Sequence, residues 1–151
     1  MTNDELQASL LATDPTLIAQ PGGEWLNLYV ESTKWHALAM SIRHAEPLLF
    51  DYLFCLTCID WKTQLCMVYH LSSTRWRHQL VIKSTLDRTR PEINTVSTIW
   101  KTADFHEREV AELFGVHFRG HPDLRNLILP DNWTGFPLRK DYEDPVNMIK
   151  L

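Results

Sequence analysis

Long apolar runs and secretion signals are absent from this sequence of 151 residues. Its longest apolar stretches, at residues 47–50 and 53–56, fall far short of the roughly 20 residues that a membrane-spanning helix requires. The segment from Met1 to Glu5 lacks the basic and apolar regions of a secretory signal peptide. We therefore expect no membrane insertion and a protein that stays in the cytosol or on the cytosolic face of a membrane.

Cysteine is scarce, with three residues at Cys55, Cys58 and Cys66. An odd number without a secretion signal indicates reduced thiols rather than a disulfide framework. The Cys55-x-x-Cys58 spacing lies in a predicted strand, where residues three apart point to opposite faces, and a four-thiolate cluster would need a fourth cysteine. We predict buried core thiols. The chain also lacks a Gly-x-Gly-x-x-Gly run, so it has no visible means of holding an iron–sulfur cluster or a dinucleotide.

An excess of basic residues is absent as well. The 15 lysines and arginines face 19 aspartates and glutamates, which gives a formal net charge of -4 and a pI of about 5.9. Such a surface does not generally attract phosphate backbones or anionic lipids. The local exception at residues 75–78 is typical of a hairpin turn, and we predict no nucleic-acid partner.

The patterns that are present predict an α+β domain over residues 1–115. Alternating apolar residues predict strands near residues 26–30, 54–61, 65–71 and 77–83. Short polar turns join the last three of these strands into a meander, whose middle strand is apolar on both faces. The domain is therefore expected to hold a mixed sheet of about four strands packed with two to three helices.

Apolar residues at helical spacing predict helices before and after the first strand and again after the meander. The first helix is expected to begin with a capping box formed by Asp4 and Gln7. The second is expected to begin with Ser32 as its N-cap. A third helical pattern covers residues 93–100.

The last helical segment carries most of the charged residues of interest. Asp104 and Glu107 form an N-terminal cap signal for a helix that Gly115 ends in the expected left-handed position. Asp104, Arg108 and Glu112 are spaced four residues apart on this helix. That spacing predicts a ladder of ion pairs along one helix face.

Residues 116–151 differ in character and predict an extended, irregular C-terminal arm that binds a partner. The segment holds four of the eight prolines and shows little periodicity. It carries far more apolar bulk than a solvated tail, namely Leu124, Leu127, Ile128, Leu129, Trp133, Phe136 and Leu138. At roughly 25 cal/mol per Å² of apolar surface, leaving them in water would forfeit several kcal/mol, so we expect the domain's own surface or a partner to cover them.

The His106-Glu107 pair on the last helix is similar to the start of a zinc-protease motif. That motif needs a second histidine one turn further on, and Val110 occupies the place, so the zinc-protease interpretation fails. The ligands open to any other metal-dependent hydrolase would be His106, Glu109, Glu112 and His121. These residues have no recognised ligand spacing, and we predict no catalytic, cofactor-binding or metal-binding residue in the chain.

The run from Glu107 to Ile128 closely resembles the signature of the thirty-kilodalton subunit family of respiratory complex I, the NADH:quinone oxidoreductase. In that signature Glu-Arg-Glu is followed by an acid, here Glu112, then by two apolar residues, Gly115 and a His-Pro-Asp-Leu-Arg run. Residues 129–142 look like the tail of the same family. The signature and interface residues are Glu107, Arg108, Glu109, Glu112, Leu113, Phe114, Gly115, His121, Pro122, Asp123, Leu124, Arg125, Leu127, Trp133, Pro137, Leu138, Arg139, Lys140, Asp141 and Tyr142.

The resemblance implies a structural and assembly subunit of the peripheral arm of the complex, without flavin, haem or iron–sulfur cluster of its own. The complex would use FMN, iron–sulfur clusters, NADH and quinone, and its enzymatic activity would not depend on catalytic residues in this chain. The protein would lie peripherally on the cytoplasmic side of the bacterial inner membrane.

The implied partners are other peripheral-arm proteins of complex I, chiefly the forty-nine-kilodalton quinone-site subunit, which the C-terminal arm would contact. We expect the cations of this region to pair with acids of that partner; they are Arg108, Arg125, Arg139 and Lys140. The alternative within the same superfamily is the homologous subunit of a membrane-bound nickel–iron hydrogenase or a formate hydrogenlyase.

Overall fold

Residues 1–148 are the part of the chain that this computed structural model describes, and they confirm an α+β fold. The elements follow one another as α1 (Asn3–Thr13), β1 (Ile18–Gln20), β2 (Leu26–Tyr29), α2 (Ser32–His44), β3 (Tyr52–Asp60), β4 (Gln64–Ser72), β5 (Gln79–Asp87), β6 (Glu92–Asn94), α3 (Ala103–Phe114) and β7 (His117–Arg119).

The main sheet is mixed and has the strand order β1-β2-β5-β4-β3. Strands β3, β4 and β5 pair antiparallel in sequence order, which confirms the predicted meander. Strand β2 joins β5 in parallel, and the long connection through α2, β3 and β4 supplies the crossover that a parallel pair needs. The sheet has one strand more than predicted, because the short, exposed strand β1 adds to the edge of β2.

The middle strand β4 is covered on both faces, as its sequence predicts. Leu65, Met67, Tyr69 and Leu71 lie in the main core, which α2 and α3 also line. On the opposite face Cys66 and Val68 form a smaller apolar cluster with Val81, and Trp25, Tyr29 and Ile59 partly cover it. The alternation of strand side chains therefore divides the apolar residues between two layers.

The first two helices begin differently from the sequence prediction. The capping box of α1 is formed by Thr2 and Glu5, whose side chains each accept a backbone N–H of the other residue, and not by Asp4 and Gln7. Helix α2 has Glu31 as its N-cap, without a side-chain cap bond. Several polar residues near the start of a helix fit the same capping pattern. The sequence therefore predicts the presence of the helix more reliably than the residue at which it begins.

The predicted helix over residues 93–100 is wrong. Residues 92–94 form β6, which pairs in parallel with β7, and a single turn from Val96 to Trp100 follows. Ile93 and Phe118 are buried side by side in this two-stranded sheet. Their burial outweighs a local helical preference, which is a weak determinant of structure in a short segment.

Helix α3 begins one residue earlier than Asp104, with Thr102 as its N-cap and without a side-chain cap bond, so Asp104 and Glu107 do not form the predicted cap. Gly115 follows the helix with φ 77°, as predicted. Within residues 1–148, no helix is both long and apolar enough to cross a membrane.

The cysteine prediction is confirmed for two of the three thiols. Cys58 and Cys66 are buried, whereas Cys55 is only half-buried near the edge of the sheet. Burial raises the pKa of Cys58 to about 12 and raises the pKa of Cys66 as well. Both thiols therefore stay protonated at neutral pH.

Candidate functional site

The C-terminal arm is anchored to the last turn of α3 by one carboxylate. Glu112 accepts the successive backbone N–H groups of Leu127, Ile128 and Leu129 at 3.1, 2.8 and 3.0 Å. Successive N–H groups that converge on one point form a concave anion site, which here is filled from within the chain. The acid of the family signature therefore folds a turn of the arm around itself.

Arg108 binds the segment just before this turn. Its guanidinium donates to the carbonyl oxygens of Arg125 at 3.0 Å and Asn126 at 3.3 Å. Helix α3 therefore does not use Arg108 and Glu112 in the predicted ion-pair ladder, which is wrong. Each side chain binds backbone of the arm, because the arm offers carbonyls to the cation and N–H groups to the anion.

A second anchor joins the end of the arm to the ends of β3 and β5. Asp60, whose side chain is 1% exposed, forms a pair of hydrogen bonds with Arg88 at 3.0 and 2.9 Å. The other side of Arg88 binds Asp141 at 2.7 Å, and Asp60 also accepts the backbone N–H of Lys140 at 2.8 Å. These bonds, led by that from Arg88, hold the pKa of Asp60 well below its usual range.

A third anchor lies between the two. Arg139 donates to the carbonyl oxygen of Phe114 at 2.6 Å, and its guanidinium carbon lies 4.9 Å from the centre of the Phe136 ring. The backbone N–H of Leu138 donates to the carbonyl of Leu113 at 3.1 Å. The two carbonyls belong to the last residues of α3, whose oxygens have no partner inside the helix.

Gly115 is required where the arm crosses the end of α3. A Cβ at this position would lie 2.6 Å from Cε2 of Phe136, and the positive φ already disfavours other residues. Gly135 has a similar relation to the ring of Tyr142, at 2.9 Å. The small residues of the signature therefore permit the aromatic side chains of the arm to approach backbone closely.

The signature's first glutamate is buried inside the domain. Glu107 accepts the hydroxyl of Thr95 and the backbone N–H of Val96, the latter at 2.8 Å. Burial raises its pKa to about 7, and the hydrogen bonds from Thr95 and Val96 oppose this shift only in part. Residues 95–97 are thereby fixed between β6 and α3.

His121 attaches the start of the arm to the region around Glu107. Its side chain is fully buried, and its Nδ1 accepts the backbone N–H of Asp123 at 3.0 Å. Its Nε2 lies 3.4 Å from a carboxylate oxygen of Asp104 and 3.8 Å from one of Glu107. Asp123 forms an exposed pair with Arg125 at 2.7 Å, and the exposed Pro122 lies between these anchors.

The four cations that were expected to meet a partner's acids are engaged within the chain. Arg108 and Arg139 bind carbonyls, Arg125 binds Asp123, and the Lys140 ammonium lies 5.8 Å from the centre of the Trp61 ring. These four side chains therefore stabilise the conformation of the arm through contacts within the chain. Several of the arm's large apolar side chains, by contrast, face outward.

The arm is seated on its own domain but keeps one apolar set exposed. Leu124 and Leu129 are partly buried. Between residues 124 and 138, the exposed apolar set consists of Leu127, Ile128, Trp133, Phe136 and Leu138, with Ile128 at 63% and Leu138 at 52% relative exposure. Val146 and Met148, further along the arm, are exposed as well. Beside the exposed apolar set, a cavity of about 280 Å³ opens between the end of α3 and the arm, lined in part by Ala111, Leu129 and Trp133.

The residues considered for a metal-dependent hydrolase are not brought together. Glu112 accepts backbone N–H groups of the arm, and His121 accepts the backbone N–H of Asp123. His106 and Glu109 lie half-buried elsewhere on α3. Across the described residues 1–148, no group of three or more His, Cys, Asp or Glu side chains could hold a metal ion.

The model of the family described as "Respiratory-chain NADH dehydrogenase, 30 Kd subunit" matches residues 28–146, from β2 to the end of the anchored arm. The chain belongs to this family. All three anchors and the Glu107 cluster fall inside the matched region.

Relatives within the 30-kDa subunit family carry two kinds of name. The C component of NADH-quinone oxidoreductase from Chloroherpeton thalassium is 42% identical over 72% of this chain and 46% of its own length. That of Chlorobium phaeobacteroides is 38% identical over 76% of this chain and 70% of its own. The combined C/D component of Phocaeicola vulgatus is 41% identical over 81% of this chain, but the match covers only 24% of that protein. The chain thus spans a quarter to a half of the length of some of its relatives.

Two solved structures share the fold. A trypsin-resistant fragment of Nqo5 matches with a TM-score of 0.68 and 24% identity over 82% of this chain and the whole of the fragment. A chain of an archaeal membrane-bound sulfane sulfur reductase, a respiratory membrane complex, matches with a TM-score of 0.75 and 23% identity over 95% of this chain and 86% of that chain.

Sequence reasoning missed the residues that receive the arm. Asp60 and Arg88 lie at the end of β3 and just after β5, far from the signature. Thr95, which donates to Glu107 on α3 and was missed as well, lies in the segment wrongly predicted as a helix. The one available signal was an acid directly after the apolar pattern of β3. Its partner could not be found from spacing, because the contact joins residues 28 positions apart.

Proposed function

We propose that this chain is a structural, non-redox subunit of the peripheral arm of a proton-translocating NADH:quinone oxidoreductase, and that it docks on the quinone-site subunit through its C-terminal arm. The activity belongs to the assembled complex, and no residue of this chain acts as a catalyst. In this proposal the complex uses FMN, iron–sulfur clusters, NADH and quinone, and this chain binds none of them. It lies peripherally on the cytoplasmic side of the bacterial inner membrane.

The observation that carries the docking proposal is the arm's division into an anchored backbone and an exposed apolar set. Carboxylates and guanidinium groups of the domain fix the backbone, while Ile128 and Leu138 remain mostly exposed. Fully burying one large apolar side chain contributes about 1.5–3 kcal/mol, so covering five half-exposed ones contributes several kcal/mol to association. Because the arm is already ordered by intrachain bonds, little of this is lost to ordering it.

The quinone-site subunit, which is the D component of the complex, is supported as the partner by relatives that carry the combined name C/D. Such proteins occur in Phocaeicola vulgatus and in Bacteroides fragilis, and this chain matches only 24% and 23% of them. A protein named for both components holds them at a high effective concentration, which is productive only when the two parts pack together. In a complex whose C and D components are separate proteins, this chain would bind the D component by association between two chains.

The test is recovery of the assembly from the native host. We expect tagged chain, purified from gently solubilised membranes, to bring down the quinone-site subunit and NADH:quinone oxidoreductase activity. Recovery of a nickel–iron hydrogenase or formate hydrogenlyase assembly instead would select the alternative family member. Recovery of the chain alone would contradict both.

Matched variants locate the surface. In one variant Ile128→Gln is combined with Leu138→Gln, which changes the exposed apolar set but keeps the backbone N–H groups that the anchors use. In the control Ile18→Gln is combined with Met40→Gln, at 67% and 45% exposure on β1 and α2. We expect the first pair to lower recovery of the quinone-site subunit by about tenfold or more, which corresponds to at least ~1.4 kcal/mol. Equal recovery with both variants would show that docking uses another surface.

A further inference from the structure

A buried acid and a buried imidazole meet where the arm leaves β7. We propose that the Glu107 carboxyl is a proton-binding latch for the arm: with its proton bound, His121 and the start of the arm stay seated on α3, and loss of the proton favours an opened start that admits water. This inference concerns the chain alone and does not depend on the identity of its partner.

Among the described residues, the groups that face Glu107 include no lysine or arginine. From its own helix it faces the Asp104 carboxyl, from β4 the hydroxyl of Tyr69, and from the start of the arm the imidazole of His121. The segment after β6 offers only uncharged donors, from Thr95 and Val96. An ionised carboxylate at this place therefore lacks the pairing that a buried charge requires.

The neutral carboxyl is better satisfied than the ionised one. Thr95 shares a hydrogen bond of 2.7 Å with Ser97, in which either hydroxyl can donate. When Glu107 is protonated, its O–H can donate to Thr95, which then donates to Ser97, while Val96 N–H still binds the other oxygen. When Glu107 is ionised, the chain of hydrogen bonds reverses and supplies one hydroxyl and one N–H to two buried oxygens, each of which can accept more.

His121 does not make up the deficit. Its Nδ1 accepts the N–H of Asp123, and its Nε2 lies 3.3 Å from the carbonyl oxygen of Asp104, so both ring nitrogens have other partners. Nε2 lies 3.8 Å from Glu107, beyond hydrogen-bond distance. Water is the group that could complete the solvation of an ionised Glu107, and moving His121 opens the way for it.

Linkage fixes the direction of the effect. Burial raises the pKa of Glu107 to about 7, whereas a hydrated glutamate ionises near its usual range. A group that binds its proton more tightly in the closed state favours closure at low pH and opening as pH rises through the closed-state pKa. The start of the arm should therefore open more readily above neutral pH than below it.

The experiment is NMR on the isotope-labelled full chain between pH 5.5 and 8. We expect the Glu107 carboxyl carbon to titrate near neutrality. We also expect the opening constant of the Asp123 amide, from hydrogen exchange corrected for the intrinsic rate, to rise over the same range by roughly tenfold for each pKa unit that Glu107 recovers on opening. The Leu138 amide, held by another anchor, provides a reference within the same sample.

Two variants complete the test. In Glu107→Gln the ratio of Asp123 to Leu138 opening should be independent of pH, whereas Glu109→Gln, a half-exposed neighbour on α3, should behave as the unmodified chain. A Glu107 carboxyl that titrates below about pH 5, close to its usual range, would overturn the proposal. A wild-type ratio that does not change with pH would overturn it as well, even if the Gln variant does not fold.

Discussion

At the scale of single residues, Glu112 has the most direct influence on the arm, because three consecutive N–H groups depend on it. Replacing it by Gln removes the charge and leaves one acceptor oxygen. Since hydrogen bonds to charged groups contribute roughly 1.5–3 kcal/mol each, we expect Glu112→Gln to weaken this turn by about 2 kcal/mol. Hydrogen exchange at the amides of residues 127–129 measures the effect.

The matched control for Glu112 is Glu109→Gln, one turn earlier on the same helix. It changes the net charge equally but removes no bond to the arm, so exchange at residues 127–129 should remain as in the unmodified chain. If both variants accelerated exchange alike, the effect would come from the charge of α3 and not from the turn that Glu112 holds.

The sequence identified these residues without revealing what each one does. Glu107, Arg108 and Glu112 were found through their motif, but Glu107 was assigned to an N-terminal cap, and the spacing of Arg108 and Glu112 suggested ion pairs along the helix face. The structure directs all three toward other segments: Glu107 to Val96, Arg108 to Arg125 and Glu112 to Ile128. Spacing on a helix says which side chains are neighbours, but it does not say whether a distant backbone competes for them.

At the scale of elements, the joint between β3, β5 and the arm depends on Asp60. In Asp60→Asn the Arg88 guanidinium keeps Asp141 but loses its buried partner. We expect the free energy of unfolding to fall by about 2 kcal/mol at neutral pH, because charge-assisted bonds to a buried group are lost. Denaturant titration measures it.

The contribution of Asp60 to the stability of the chain should depend on pH. The pKa of Asp60 is lower in the folded chain than in the unfolded one, so its contribution is present above the unfolded value and is lost as pH falls below it. The stability difference between Asp60→Asn and the unmodified chain should therefore shrink below about pH 4. A difference that stays constant down to about pH 3, below the unfolded value, would show that Asp60 acts by packing alone.

The crossing of the arm over the end of α3 depends on Gly115. We expect Gly115→Ala to destabilise the chain by about 1 kcal/mol through its positive φ alone, and by more because its Cβ meets the Phe136 ring. In a Phe136→Leu background the steric part should be smaller. A double-mutant cycle separates the two parts, and strictly additive effects would mean that the ring moves aside without cost.

Elements with a strong apolar period were predictable, and the short ones were not. The meander and helices α2 and α3 follow from alternation or helical spacing over nine or more residues each. Strands β6 and β7 have three residues each and form only because they pair with each other, so neither carries a local signal. The helix predicted over residues 93–100 was wrong for a related reason. Ile93 and Val96 are apolar because residues distant in the sequence bury them in the core, and their spacing only resembles that of a helix face.

At the scale of the whole molecule, the C-terminal arm was predicted as a segment but not as an attached one. Its prolines and apolar bulk indicated an irregular segment that needs a cover, and the sequence left open whether the domain or a partner provides it. In the structure the domain covers only part of this apolar surface. Leu124 packs on the core, while Ile128 and Leu138 stay exposed. The backbone bonds that produce this division join residues up to 80 positions apart, beyond what a pattern along the chain contains.

The measurement that tests docking on the quinone-site subunit most directly is site-specific photo-crosslinking in the native membrane. A photoreactive phenylalanine analogue is placed at Ile128 in the exposed apolar set, and in a second strain at Ile18, an isoleucine of similar exposure on β1. We predict that the probe at Ile128 yields a crosslink to the quinone-site subunit and that the probe at Ile18 does not. A crosslink to that partner from Ile18 alone, or to a different protein from Ile128, would contradict the proposed docking surface.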